Sequence, residues 1–130
     1  IGDVLKMQVY AMARHLNAHF ADFGLRCAPI PEPSITKAPS AELRPDQTDQ
    51  DSLPAYEDLD RIVTGWIEHE GDPAAIAQDT GLDVAMVTRW CQAIDRAQFK
   101  RDQAPLVLKV AARTFGRGRP MPIAARWRPA

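Results

Sequence analysis

Between Ala28 and Pro54 the chain reads APIPEPSITKAPSAELRPDQTDQDSLP, and six of its eleven prolines fall there: Pro29, Pro31, Pro33, Pro39, Pro45 and Pro54. A proline ring locks φ and removes an amide donor, so neither a helix nor a central strand is expected in this stretch. Connections of this length inside a compact domain are functional or disordered. Poor order is therefore expected of it. The stretch divides the chain into a helix over 1–24, a loop over 25–54, a helical segment over 55–103 and a basic tail over 104–130.

Helical spacing governs both sides of that loop. Leu5, Val9, Met12, Leu16 and Phe20 recur on one apolar face, with Asp3 as N-cap and Gly24 as stop, which predicts a helix from about Leu5 to Asp22. Leu59, Ile62, Val63, Trp66 and Ile67 form the face of a second helix, ended by Gly71. A third is capped by Asp72, opened by Pro73 and ended by Gly81. A fourth begins at Asp83 and turns Val87, Trp90, Cys91 and Ile94 inward. The expected class is mainly α, with about four helices, a long proline-rich loop and an irregular tail.

The net charge of −1 conceals two opposed segments. Seven acids lie between Ala41 and Asp60 against one base, Arg44, while eight bases lie from Lys100 onward against one acid, Asp102. Such a tail suits a polyanionic ligand, or pairing with the acidic loop, an absent body or a partner subunit. A near-neutral whole gives no global pull toward nucleic acid.

Several chemistries find no footing. Cys27 and Cys91 lack C-x-x-C spacing and read as two reduced, buried thiols of a cytoplasmic protein. No apolar run approaches a membrane span. His15 and His19 lie at zinc-chelating i, i+4 spacing, but only Asp22 is near as a further ligand, so no metal site is assigned. FGRGRP contains G-x-G without the strand and helix of a dinucleotide fingerprint. No nucleophile with a partner base is recognisable, so no catalytic residue is assigned. The pair PAAIAQDTGLDVAMVTRWCQAI has helix-turn-helix grammar, with Ala77, Gly81 and Val87 at the expected places. A DNA-binding module over 73–98 is therefore an alternative. Its reading face, Ala85, Thr88, Arg89 and Gln92, is thin, and Asp72, Asp79, Asp83 and Asp95 would repel phosphates. A helical dimerisation domain is another alternative.

Separated blocks resemble one family. IGDVLKMQVYAMARHLN, TKAPSAELRPDQTDQDSLPAYEDLDRI, AQFKRDQAP, LKV and FGRGRPMPIAARW are similar, in this order and spacing, to the bacterial glutamine-dependent NAD synthetases. The resemblance runs from Ile1 to Trp127. It implies a cytoplasmic carbon–nitrogen ligase that adenylates deamido-NAD with ATP, releases pyrophosphate, and then forms the amide with ammonia drawn from glutamine by a separate amidase domain. It implies an α/β parent domain of the adenine nucleotide alpha hydrolase type, with ATP and Mg as substrate and ion. The S-G-G-x-D-S phosphate loop is absent from this sequence. The chain is thus expected to be the C-terminal part of the synthetase domain, inactive alone, a partner to the rest of the enzyme, and a homo-oligomer.

The resemblance also carries roles. Lys6, in GDVLKMQVY, matches the lysine that meets ATP phosphates. Ser40, in KAPSAEL, matches the hydroxyl of the mobile loop that reaches ATP, with Lys37 beside it. Lys100, in QFKR, matches the lysine that binds deamido-NAD, with Arg101 next to it. Two departures are visible. The common YKR is FKR, so Phe99 lacks a hydroxyl. The usual APPG is APLV, so Leu106 and Val107 stand where a proline and a turn glycine are usual, which changes the turn the backbone can make.

Overall fold

A computed structural model describes residues 2–105, 107–113 and 118–119. Two compact units divide the chain: a loop unit, residues 5–56, and a helical unit, residues 1–4 with 57–130. The described residues form helices and turns and no β-strand, the mainly α class expected for this stretch.

In the loop unit, α1 runs Lys6–Ala18, followed by a 3₁₀ turn at Phe20–Phe23. The helix is shorter than its apolar spacing predicts. Its C-cap is His19, and Gly24, at φ 72°, closes the 3₁₀ turn instead. Asp3 is not the N-cap. Leu5 occupies that position, and the Gln8 side chain accepts its amide at 3.0 Å, satisfying one of the orphan N–H groups of a helix start. No residue of α1 is buried, and Met12 is half exposed.

The proline-rich stretch departs from expectation. It contains a helix, α2 at Glu32–Thr36, and a 3₁₀ turn at Asp49–Asp51. Proline opposes a helix interior, but Pro31 is the N-cap of α2 and Pro33 lies in its first turn, where no amide bond is forfeited. Ile35 is buried. Asn17 ties the segment to α1: its Nδ2 donates to the Ile30 carbonyl at 2.7 Å, and its Oδ1 accepts the Ile30 amide at 3.0 Å.

In the helical unit, α3 (Tyr56–Val63) continues as a π-helical turn over Thr64–Glu68. Gly65 lets Ile76 pack closely on this turn: a Cβ there would lie 2.8 Å from Ile76 Cγ1. The helix ends before Gly71. Glu70, not Gly71, takes the left-handed conformation, at φ 51°. α4 spans Pro73–Thr80 and α5 spans Val84–Arg96. Their caps are those read from sequence: Asp72 accepts from Ala75 N–H at 2.9 Å, Asp83 accepts from Met86 N–H at 2.9 Å, and Gly81 stops α4 at φ 71°. The predicted fourth helix breaks at Ala97, and α6 covers Gln98–Asp102.

The core joins α3, its π turn, α4 and α5 through Ile62, Trp66, Ile67, Ile76, Ala77, Val87 and Cys91. Trp90 and Ile94 pack against it half-buried. The two cysteines differ: Cys91 is fully buried, whereas Cys27, also expected inside, is exposed. Burial, with the Asp95 charge second, pushes the Cys91 thiol up to about 11.

Candidate functional site

Three candidate residues lie in the loop unit. Lys6 stands on the first turn of α1, with Nζ 5.4 Å from the Tyr10 ring centre and 5.5 Å from that of Tyr56. Aromatic faces attract an ammonium, so the two rings favour this charge, and no ion pair to a carboxylate of the described residues accompanies them. The Tyr56 hydroxyl donates to Asp49 Oδ2, which fixes one of those rings.

Lys37 and Ser40 line one open concavity of about 630 Å³, walled by residues 37–38, 40 and 42–48. Glu42 links them. Its carboxylate pairs with Lys37 Nζ at 2.9 Å, and its amide donates to Ser40 Oγ at 3.0 Å. The Lys37 hydrogen bond and charge hold the Glu42 carboxyl below the usual carboxylate range. Glu42 and Asp46 both adopt left-handed backbone, at φ 53° and 55°, which curls the segment into a cup. Glu42 and its backbone conformation were not legible in sequence.

The other candidates lie in the helical unit, on α6. Lys100 is exposed, its Nζ 5.4 Å from the Phe99 ring centre. Arg101 is half-buried. Its Nη2 donates to the Ile94 carbonyl at 2.5 Å and to Gln98 Oε1 at 3.0 Å, and its Nε donates to the same Gln98 oxygen at 3.2 Å.

Three contacts anchor the described part of the basic tail within the helical unit. Arg113 pairs with Glu70, and Arg119 pairs with Asp95 at 2.6 Å. Asp3 supplies a third anchor: its Oδ2 accepts the Val110 amide at 2.8 Å and the Ala111 amide at 2.9 Å. Those two bonds, Ala111 first, hold its carboxyl below the usual range. Most of the FGRGRPMPIAARW block lies outside the described residues; only Gly118 and Arg119 of it are inside.

The alternative sites gain little. On α5, Thr88 Oγ1 donates back to the Val84 carbonyl at 2.8 Å and the Arg89 guanidinium lies 5.4 Å from the Trp90 ring centre, so two of the four groups of a base-reading face are engaged within the helix. The His15 and His19 rings lie 4.4 Å apart, and His19 Nδ1 is 3.4 Å from Asp22. Among the described residues no group of three His, Cys, Asp or Glu side chains could hold a metal ion. No helix of the described residues is long and apolar enough to cross a membrane.

A family model described as NAD synthase matches residues 1–104. The chain belongs to the NAD synthase family. Within this family it is 41% identical, over 128 residues, to the glutamine-dependent NAD(+) synthetase of Acinetobacter baylyi, covering 98% of this chain and 22% of that protein. It is 42% identical over 123 residues to the enzyme of that name from Aquifex aeolicus, covering 95% and 20%. An NH(3)-dependent NAD(+) synthetase of Chlorobaculum tepidum is 35% identical over 117 residues, covering 89% and 37%. The structure resembles that of the glutamine-dependent NAD+ synthetase of Acinetobacter baumannii in complex with ADP, at TM-score 0.56 and 30% identity, over 98% of this chain and 20% of that one. The chain thus spans about a fifth of the length of these glutamine-dependent NAD synthase relatives.

Proposed function

We propose that this chain supplies part of the substrate-binding surface of an ATP-dependent NAD synthetase. The observation that carries the reading is the cup of residues 37–48, where Lys37 and Ser40, both assigned to ATP by the family resemblance, line one concavity. A relative of matching sequence was solved with ADP, which supports a nucleotide as the ligand class.

In this reading Lys6, Lys37 and Ser40 meet the ATP phosphates. The nicotinate carboxylate of deamido-NAD attacks the α-phosphorus, the bond to the β-phosphate bridge breaks, and pyrophosphate leaves. Ammonia then attacks the acyl carbon, the acyl–oxygen bond breaks, AMP leaves, and the nitrogen sheds its proton to give the amide. Lysines suit the first step as compact point charges against a polyphosphate. Lys37 must exchange the Glu42 carboxylate for phosphate, an exposed pair that costs little to open. The 25–54 loop acts as a lid that orders over ATP and keeps water from the hydrolysable adenylate. Lys100 and Arg101 serve the deamido-NAD side. No residue of the chain is assigned a chemical step.

The test is a hybrid enzyme in which these 130 residues replace the matching segment of the Acinetobacter baylyi synthetase. NAD formation from deamido-NAD, ATP and ammonia should be present in the hybrid and fall at least about tenfold in Lys6→Ala and in Lys100→Ala. The chain alone should form no NAD. A hybrid indifferent to both substitutions overturns the reading.

A further inference from the structure

We infer that Arg101 is a positioning residue for deamido-NAD binding: it seats α6 on the C-terminal end of α5 and so presents Lys100. The inference rests on the proposed role of Lys100 and deepens it. Adjacent basic residues on a ligand-facing turn would ordinarily be taken as two charges serving one anion. The geometry separates them.

A helix leaves its last four carbonyls without intrahelical donors. Ile94 carries one of those carbonyls in α5, and Arg101 Nη2 reaches it at 2.5 Å. A cation at a helix C-terminus also meets the negative end of the helix dipole. The same guanidinium closes on Gln98 Oε1 through both Nε, at 3.2 Å, and Nη2, at 3.0 Å. One rigid fork therefore bridges the last turn of α5 and the first residue of α6, across the break at Ala97. A five-residue helix holds its place poorly by its own bonds. With Arg101 turned toward Ile94, the preceding residue on the helix is rotated away by about 100°. Lys100 is accordingly exposed, resting over Phe99. Phe99 has no hydroxyl with which to orient that ammonium by a hydrogen bond, which leaves the seating of α6 to fix it.

The hybrid enzyme decides it through a mutant cycle read as KM for deamido-NAD. Arg101→Ala should raise that KM by about tenfold, because the competent orientation of Lys100 becomes a minor population. Gln98→Ala, which alters no charge, should raise it in the same direction. In a Lys100→Ala background neither substitution should add a further loss. If Arg101→Ala still lowers affinity in that background while Gln98→Ala is silent, Arg101 meets the ligand directly and the inference is overturned. If Lys100→Ala itself leaves KM unchanged, it is the proposed role of Lys100 that fails. Amide exchange in the 130-residue chain gives a readout independent of activity. Arg101→Ala should speed exchange across residues 98–104 with the α4–α5 core unaltered. Unchanged exchange there would also overturn the inference.

Discussion

Arg119 and Asp95 lock the described tail to the helical core. Their contact is 2.6 Å, and the side chains are only 16% and 13% exposed. The guanidinium also lies 4.9 Å from the Trp66 ring centre, and Trp66 Nε1 donates to the same Asp95 oxygen at 2.9 Å. Removing Arg119 would leave a largely buried carboxylate with one neutral donor. Arg119→Ala should lower unfolding free energy by about 2–3 kcal/mol, measured by urea titration of Trp fluorescence. Asp95→Asn with Arg119→Ala should recover part of that loss, since the stranded charge is gone. A loss under about 0.5 kcal/mol would place the pair among surface contacts.

Gly65 and Gly81 should both resist alanine, for different reasons. At Gly65 the new Cβ would meet Ile76 Cγ1 at 2.8 Å, so the substitution overpacks the core, at about 1–3 kcal/mol. At Gly81 nothing lies within 4 Å, and the cost is the left-handed backbone at φ 71°, about 1 kcal/mol. In an Ile76→Ala background, which removes Cγ1, Gly65→Ala should cost less, while Gly81→Ala should cost as much as before. Thermal melts of the two double variants check this.

The Asp3 clip should be lost in acid. Its folded carboxyl titrates below the ordinary 3.8, so the clip contributes fully above that value and fades as pH falls through the lowered one. The Val110 and Ala111 amide resonances should move together in that window, and in Asp3→Asn they should not titrate there. Independent movement of the two amides would count against a shared acceptor.

The two thiols should separate cleanly. Cys27 is exposed, and Cys91 is fully buried with its thiol raised to about 11. A disulfide reagent at pH 8 should modify one thiol per native chain and two in denaturant. Raised from the ordinary 9.0, Cys91 favours the folded state below that pH and loses its contribution as pH rises toward 11. Cys91→Ser should therefore flatten the alkaline fall in stability between those values.

Local chemistry determined much of this molecule from sequence alone. Asp72, Pro73, Gly81 and Asp83 bound α4 and α5 because capping and left-handed turns need only neighbouring residues. Ile62, Trp66, Val87 and Cys91 face inward because helical spacing puts them on one stripe. The family was legible too, in blocks such as SAELRPDQTD and QFKRDQAP. Long-range partners were not. Asp3 looks like a helix cap until Val110 and Ala111, over a hundred residues away in sequence, reach it. Pro31 and Pro33 argue against a helix unless they open one. Arg119 reads as one more tail charge until Asp95, 24 residues earlier, pairs with it. A cap, a stop or an apolar stripe is decided within a turn or two of chain. Which donor meets which carboxylate is decided by where distant segments come to rest, and only the tertiary structure holds that.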